Sequence, residues 1–266
     1  MIDKAKVYSP EIQSIQDEKL REFGGYLVKQ LPDYIFSTPA SSSGKYHPSY
    51  ALGEGGLIRH TKAAILFLKD ITGLEFMGEI FSQEEKDLAI IALIMHDGFK
   101  SGLKAGAGTV LDHPLISSKF IEDMAEKNNY SLITKENAEK ISEAIASHMG
   151  QWNTDRDNKE VLPKPKSKLG KLVHVCDYLA SRKHYAVEFA DWYKPSDFEV
   201  EEIVEGSLED LVNKIKQKSV RLQKIVGKET VFSIIRTHNG NANPNSISSI
   251  DVAQKILDEF HEKEEV

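Results

Sequence analysis

Apolar residues recur along most of the chain at the three- and four-residue steps of an α-helix, and strand-like alternation is scarce. Ile12, Ile15, Leu20, Phe23 and Leu27 predict a first amphipathic helix over 11–30. A second is predicted from about Gly56 to Ile71, where Leu57, Thr61, Ala64, Ile65 and Leu68 share a face. Ser82 followed by Glu85 is a capping-box signature and opens a helix running to about Met95. Pro114 suits a first helical turn, with Ile116, Phe120, Ile121 and Met124 as the buried stripe behind it. Thr134 with Asn137 starts a further helix that ends near Met149-Gly150, and another spans about Ser167 to His184 on Leu169, Leu172, Val173, Cys176 and Leu179. Leu208–Val226 and a last helix capped by Ser248–Ile250 complete the pattern.

Between these lie loops. Residues 37–56 are rich in Ser, Gly and Pro, including the polar run Ser41-Ser42-Ser43-Gly44. Residues 98–112 hold Gly98, Gly102, Gly106 and Gly108, and 151–166 are polar with two prolines. Asn239 to Asn245 reads as a turn or flexible loop. From about Pro195 the chain becomes more charged. The expected organisation is all-α, with an N-terminal helical segment 1–35, a helical domain 36–195 and a helical C-terminal extension 196–266.

Composition narrows the function classes. With 266 residues, 40% hydrophobic and 28% charged, the chain is ordinary for a globular protein and needs no disulfide or zinc staple. A single cysteine, Cys176, excludes an intramolecular disulfide framework and fits a reducing compartment; its place on an apolar stripe marks it as inert core. The net charge of −7 argues against a surface coated for long nucleic acid. The longest apolar stretch, Leu88–Met95, is far short of the roughly 20 residues a spanning helix needs. With no signal-like apolar start, the expectation is a cytoplasmic protein with no membrane partner.

Several ionisable residues fall on faces that should be buried. His60 lies on the inward stripe of its helix, and His96 and Asp97 end the apolar run. His148 continues the face of Ala138, Ile141 and Ile145, while Asp177 edges the stripe of Val173 and Ala180. His113 closes the glycine loop. A buried imidazole or carboxylate is costly unless paired or metal-bound. Any one of these histidines is explained by a hydrogen bond in the core; the whole set is satisfied at once by one or two divalent ions. Imidazole with carboxylate suits iron, manganese, nickel or zinc rather than calcium.

The order His60, His96-Asp97, His113, His148, Asp177 resembles the HD-domain superfamily of metal-dependent phosphohydrolases, and His96-Asp97-Gly98-Phe99-Lys100 matches its His-Asp-x-x-Lys pattern. Pro39-Ala40, Lys45, His47 and Gly55-Gly56-Leu57-x-x-His60-Thr61 are similar to the HD domain of 3′-to-5′ exoribonucleases, as are Ser147-His148-x-Gly150 and His174-x-x-Asp177. This likeness covers about residues 36–185. It departs from those exonucleases in two ways. They carry an N-terminal OB-fold that holds RNA, for which the 35 residues here are too few and too helical, and many have a second His where Met149 stands.

The resemblance implies an HD-domain helical bundle holding one or two divalent ions, with manganese, iron, nickel or magnesium as candidates. His60, His96, Asp97 and Asp177 would bind one ion, and His113 and His148 the second, with Asp97 bridging. It implies hydrolysis of a phosphoester of a nucleotide, or of a short single-stranded nucleic-acid end, by a metal-activated water. Asp97 and Lys100 are the catalytic candidates, and Lys100, His174 and His47 the substrate-binding ones. Two other classes share the ligand set: a di-iron oxygenase of the same superfamily and a non-catalytic nucleotide-binding module. Lys164, Lys166, Lys168, Lys171, Arg182 and Lys183 flank the site in sequence and are candidates for phosphate contacts. Trp152 is placed to stack a base or to anchor packing, and the lysines at 214, 216, 218 and 224 to bind a strand or to form a solvated face. The Gly102–Gly108 loop lacks the Lys-Ser/Thr ending of a P-loop and reads as a flexible pocket wall. Oligomeric state is left open.

Overall fold

The computed structural model describes residues 2–41, 44–45, 47–104, 106, 108–185, 187, 193–198 and 207–264. Twelve α-helices are found among them: α1 (Lys4–Val7), α2 (Ser9–Gln13), α3 (Glu18–Gln30), α4 (Gly56–Thr72), α5 (Glu75–Ile80), α6 (Gln83–Met95), α7 (His113–Lys127), α8 (Lys135–Ala146), α9 (Lys168–Ala180), α10 (Leu208–Val226), α11 (Lys228–Asn239) and α12 (Ile250–Glu264). Among the described residues there is no strand, and β pairing is limited to isolated bridges such as that between Thr154 and Glu160, so the fold is all-α. The chain forms two compact units, Met1–Val200 and Glu201–Val266. Among the described residues no helix is long and apolar enough to cross a membrane.

Helix α6 is the centre of the first unit. Every residue from Asp87 to Met95 is buried, so this helix is enclosed on all sides. It packs on α3, α4, α8 and α9, and α7 lies against α8. The predicted capping box starts it: Ser82 Oγ accepts the Glu85 N–H, and Glu85 Oε2 accepts the Ser82 N–H at 2.9 Å.

Asp87 explains where the sequence pattern misleads. The stripe from Ile12 to Leu27 predicts one helix, but the chain breaks between α2 and α3. Buried Asp87 Oδ2 accepts the N–H groups of Gln16 at 3.1 Å and Asp17 at 2.9 Å, while Oδ1 accepts from Gln83 at 2.9 Å. Asp17 in turn caps α3 by accepting the Leu20 N–H. A carboxylate some 70 residues downstream thus takes the donors that a continuous helix would use. Helices α8 and α9 end at Ala146 and Ala180, a few residues before the predicted ends. Helix α5, which buries no residue, and α11 carry no stripe that the sequence reading marked.

The segment before α4 is fixed by close backbone packing. A Cβ on Gly56 would stand 2.3 Å from the Ala51 carbonyl oxygen, so only glycine fits there. Arg59 donates to the carbonyls of Tyr50 (2.6 Å), Leu52 (2.9 Å), Glu54 (2.8 Å) and Tyr193 (2.6 Å). Tyr50 donates its hydroxyl to the Ala180 carbonyl, tying the same segment to the end of α9. Of the predicted loops, Ser42, Ser43, Tyr46, Ala105 and Ala107 lie outside the described residues.

The second unit has its own core of Leu211, Ile215, Leu222, Val231, Ile235, Ala253, Ile256 and Phe260 from α10, α11 and α12. Helix α10 has the predicted bounds and begins with a Ser207–Asp210 capping box. Its lysines at 214, 216, 218 and 224 fall outside the buried stripe of Leu211, Ile215, Ser219 and Leu222.

Removing the Asp87 carboxylate leaves two backbone N–H groups beside the core without their acceptor. Asp87→Ala is expected to lower unfolding stability by about 2–4 kcal/mol, and Asp87→Asn, which keeps one oxygen, by less. Urea unfolding reads both, and an unchanged midpoint for Asp87→Ala would contradict the bracing role.

Candidate metal centre

The six singled-out side chains meet. His60 comes from α4, His96 and Asp97 from the C-terminal end of α6, His113 from the first residue of α7, His148 from the turn after α8 and Asp177 from α9. All are buried except Asp177, whose side chain is 18% exposed. Asp177 Oδ1 lies 2.9 Å from His60 Nε2 and 3.5 Å from His96 Nε2. Asp97 Oδ1 lies 2.9 Å from His113 Nε2 and 3.8 Å from His148 Nε2, and its Oδ2 is 3.6 Å from His96 Nε2. Three overlapping trios have donor atoms within 4.8 Å of one another: His60/His96/Asp97, Asp97/His113/His148 and His96/His148/Asp177.

Local helix geometry sets the direction of the imidazoles. His96 Nδ1 lies 2.6 Å from the Leu93 carbonyl, His113 Nδ1 2.7 Å from that of Val110, and His148 Nδ1 2.7 Å from that of Ile145. In each case the partner is three residues earlier in the same turn. A carbonyl only accepts, so each Nδ1 carries a proton, and in the neutral ring each Nε2 presents its lone pair to the cluster. Metal-ligating histidines are held in the same way, through the ring nitrogen that does not bind the ion.

The resulting contacts need a positive charge. The Nε2 atoms of His113 and His148 face each other at 3.4 Å. Buried His96 Nε2 and Asp97 Oδ1 have no hydrogen-bond partner. Lone pairs and carboxylate oxygens that converge in this way repel unless a proton or cation lies among them, and a set of imidazoles and carboxylates suits a divalent transition ion. The residues therefore fit one or two such ions.

The electrostatics favour the ligating forms of Asp97, Asp177 and His148; for His96 burial is outweighed by Asp97 and then Asp177, which raise its pKa and favour the protonated ring where no ion is bound. Burial opposes ionisation of Asp97, but Lys100, His96 and His113 outweigh it and hold its carboxyl well below the usual range. Asp177 is likewise held low against its burial by His60 and His96. Burial, then the neighbouring His96, pushes His148 down to about 3, so its ring is neutral near pH 7.

Five of the six side chains, all but His96, line a cavity of about 450 Å³, within the range of small-molecule sites. Lys100 lines it and pairs with Asp97 Oδ2 at 2.5 Å. His47 lines it too, its ring 5.3 Å from that of His60, and burial, then His60 and Lys100, lowers its pKa to about 3. His174 is not among the lining residues; its Nδ1–H donates to the His148 carbonyl at 2.6 Å. Gly150, with φ +59°, gives that ring room, since a Cβ there would lie 2.2 Å from His174 Cε1. Of the six flanking basic residues Arg182 alone lines the cavity. Lys164 pairs with Glu160, and Lys168 with Glu85 at 2.8 Å. Trp152 and Thr109 also line the wall, the latter at the end of the glycine loop. Cys176 is buried in the core, and burial lifts its thiol to about 12, which keeps it unreactive.

Sequence reasoning passed over Arg59 and Tyr178. Arg59 acts on carbonyls near and far, which no spacing rule reveals. Tyr178 stands beside Asp177 of the cluster, and its ring meets those of Trp152 and His174 only in the folded chain.

Residues 57–182 match the family model described as HD domain, and all six clustered residues lie inside that match. No curated protein and no solved structure matches the chain.

If the cluster holds an ion, adding manganese to stripped protein raises the melting temperature. An ion at a hundred times its Kd stabilises by about 2.7 kcal/mol. His113→Ala and Asp177→Ala are each expected to lose most of that rise in differential scanning fluorimetry. A wild-type melting temperature indifferent to manganese, iron, nickel and magnesium would contradict the centre.

Proposed function

We propose that the protein is a metal-dependent phosphohydrolase that cleaves a phosphoester of a nucleotide or of a nucleic-acid 3′ end with an activated water. The observation that carries this reading is the convergence of six imidazole and carboxylate side chains, five of them lining a cavity that also presents Lys100 and Arg182. His60, His96, Asp97 and Asp177 would hold one ion, and Asp97, His113 and His148 the second. Bound there, divalent ions supply Lewis acidity at the phosphorus centre and a nucleophilic water near neutral pH.

The chain's own groups supply the rest. Asp97 has an oxygen on each side, Oδ1 toward His113 and His148 and Oδ2 toward His96 and Lys100, which suits it to bridge the two ligand sets and to orient the attacking water. Lys100 is a cation at the cavity wall and is suited to neutralise a non-bridging phosphate oxygen as charge builds. His47, uncharged near pH 7, offers one N–H to a substrate oxygen. His174 acts on the site through the His148 carbonyl, as a positioning residue. A cavity of about 450 Å³ suits one nucleotide unit, free or at a strand end, and favours that over an internal stretch of duplex.

Manganese- or iron-loaded protein should hydrolyse a member of a nucleotide and oligonucleotide panel, and should do so without oxygen. Asp97→Ala should abolish turnover while far-ultraviolet circular dichroism stays helical. Lys100→Ala should lower kcat/KM roughly a hundredfold, the scale of losing one charge-stabilising donor. Steep loss of affinity with salt marks a strand substrate, and a shallow dependence a small nucleotide. Oxygen consumption by the iron-loaded protein in place of hydrolysis would overturn the hydrolase reading.

A further inference from the structure

The turn after α8 and the end of α9 bring an aromatic pair and a guanidinium to the wall of the cavity. Trp152 keeps 44% of its surface exposed although it lines that wall. Its indole is near-parallel to the Tyr178 ring, 16° apart with ring centres 5.7 Å apart. The Arg182 guanidinium carbon stands 4.4 Å from the Tyr178 ring centre and 5.5 Å from that of Trp152. Arg182 is itself oriented, because Nη2 donates to Ser181 Oγ at 2.8 Å and Nε to the same oxygen at 3.2 Å.

We propose that Trp152, backed by Tyr178 and flanked by Arg182, is a nucleobase-stacking subsite that selects phosphoesters carrying a base over simple sugar phosphates. This rests on the phosphohydrolase reading of the metal centre. A tryptophan used only as a packing anchor would be covered; this one is braced by its neighbours, lines the cavity and is still exposed. A braced ring loses little side-chain freedom when a flat ligand lands on it. The subsite is also joined to the metal centre by short pieces of chain. Trp152 is four residues after His148, and Tyr178 directly follows Asp177. The offset between base surface and the clustered imidazole and carboxylate atoms is therefore set by the short turn after α8 and by the last turn of α9, as it must be if base and phosphate belong to one nucleotide. Every base has a π face and a sugar phosphate has none, so stacking separates the two classes without reading sequence. The guanidinium beside the indole offers N–H donors to a base carbonyl or to a phosphate oxygen.

Calorimetric titration of the metal-free full chain with the four nucleoside 5′-monophosphates and with ribose 5-phosphate tests this. At least one nucleotide should bind about tenfold or more tightly than ribose 5-phosphate. Trp152→Ala should erase that preference and leave ribose 5-phosphate binding unchanged, while Trp152→Phe should keep most of it. Equal binding of all five ligands by the wild type overturns the subsite. So does a Trp152→Ala protein that retains the preference, or a Trp152→Phe protein, folded like the wild type, that has lost it. Binding is read here without ion or turnover, so the two readings fail separately. Hydrolysis with no base preference sinks the subsite alone; base preference with no hydrolysis of any phosphoester in any metal sinks the phosphohydrolase reading.

Discussion

Three imidazoles in this fold each commit one nitrogen to the carbonyl three residues earlier in the chain. That local bond decides the tautomer, the ring direction and where the lone pair points. Because Leu93, Val110 and Ile145 supply the acceptors, the direction in which His96, His113 and His148 present Nε2 is as rigid as the turns themselves. The alternative, long side chains reaching in from loops, would need ordering each time an ion arrived.

The cost of this arrangement is a dense group of buried ionisable residues. Left alone, imidazole lone pairs at 3.4 Å and two carboxylates strain against the hydrophobic interior around them. The chain tempers this with Lys100 beside Asp97 and with His60 beside Asp177. The rest of the imbalance makes the cluster receptive to cations. The same low-dielectric setting that penalises the free groups strengthens whatever charge interaction forms there.

Much of this was legible in the chain before folding. His60, His96 and His148 stood out because a 3.6-residue period put polar groups on apolar faces, and that period survives in α4, α6 and the end of α8. The capping residues Ser82, Thr134 and Ser207 are local devices, so the helices they open could be read locally. What escaped notice depends on distant partners. The break before α3 is imposed by Asp87, and the anchoring of the segment before α4 depends on Arg59 reaching Tyr193. Among the flanking basic residues the partner of Lys168 is Glu85, far away in sequence, whereas Lys164 pairs with Glu160 four residues earlier, a spacing that is local.

The Arg59 hub bears on what counts as the unit of folding. Its four acceptors lie at positions 50, 52, 54 and 193, all outside the segment 57–182 that matches the family. Helix α6 also rests on α3, and Asp87 reaches back to Gln16 and Asp17. A fragment trimmed to the matched segment would strand a guanidinium, uncover one flank of its central helix and leave a buried carboxylate without its backbone donors. The recognisable core of this protein thus leans on residues that lie outside it, and its flanks are masonry rather than ornament.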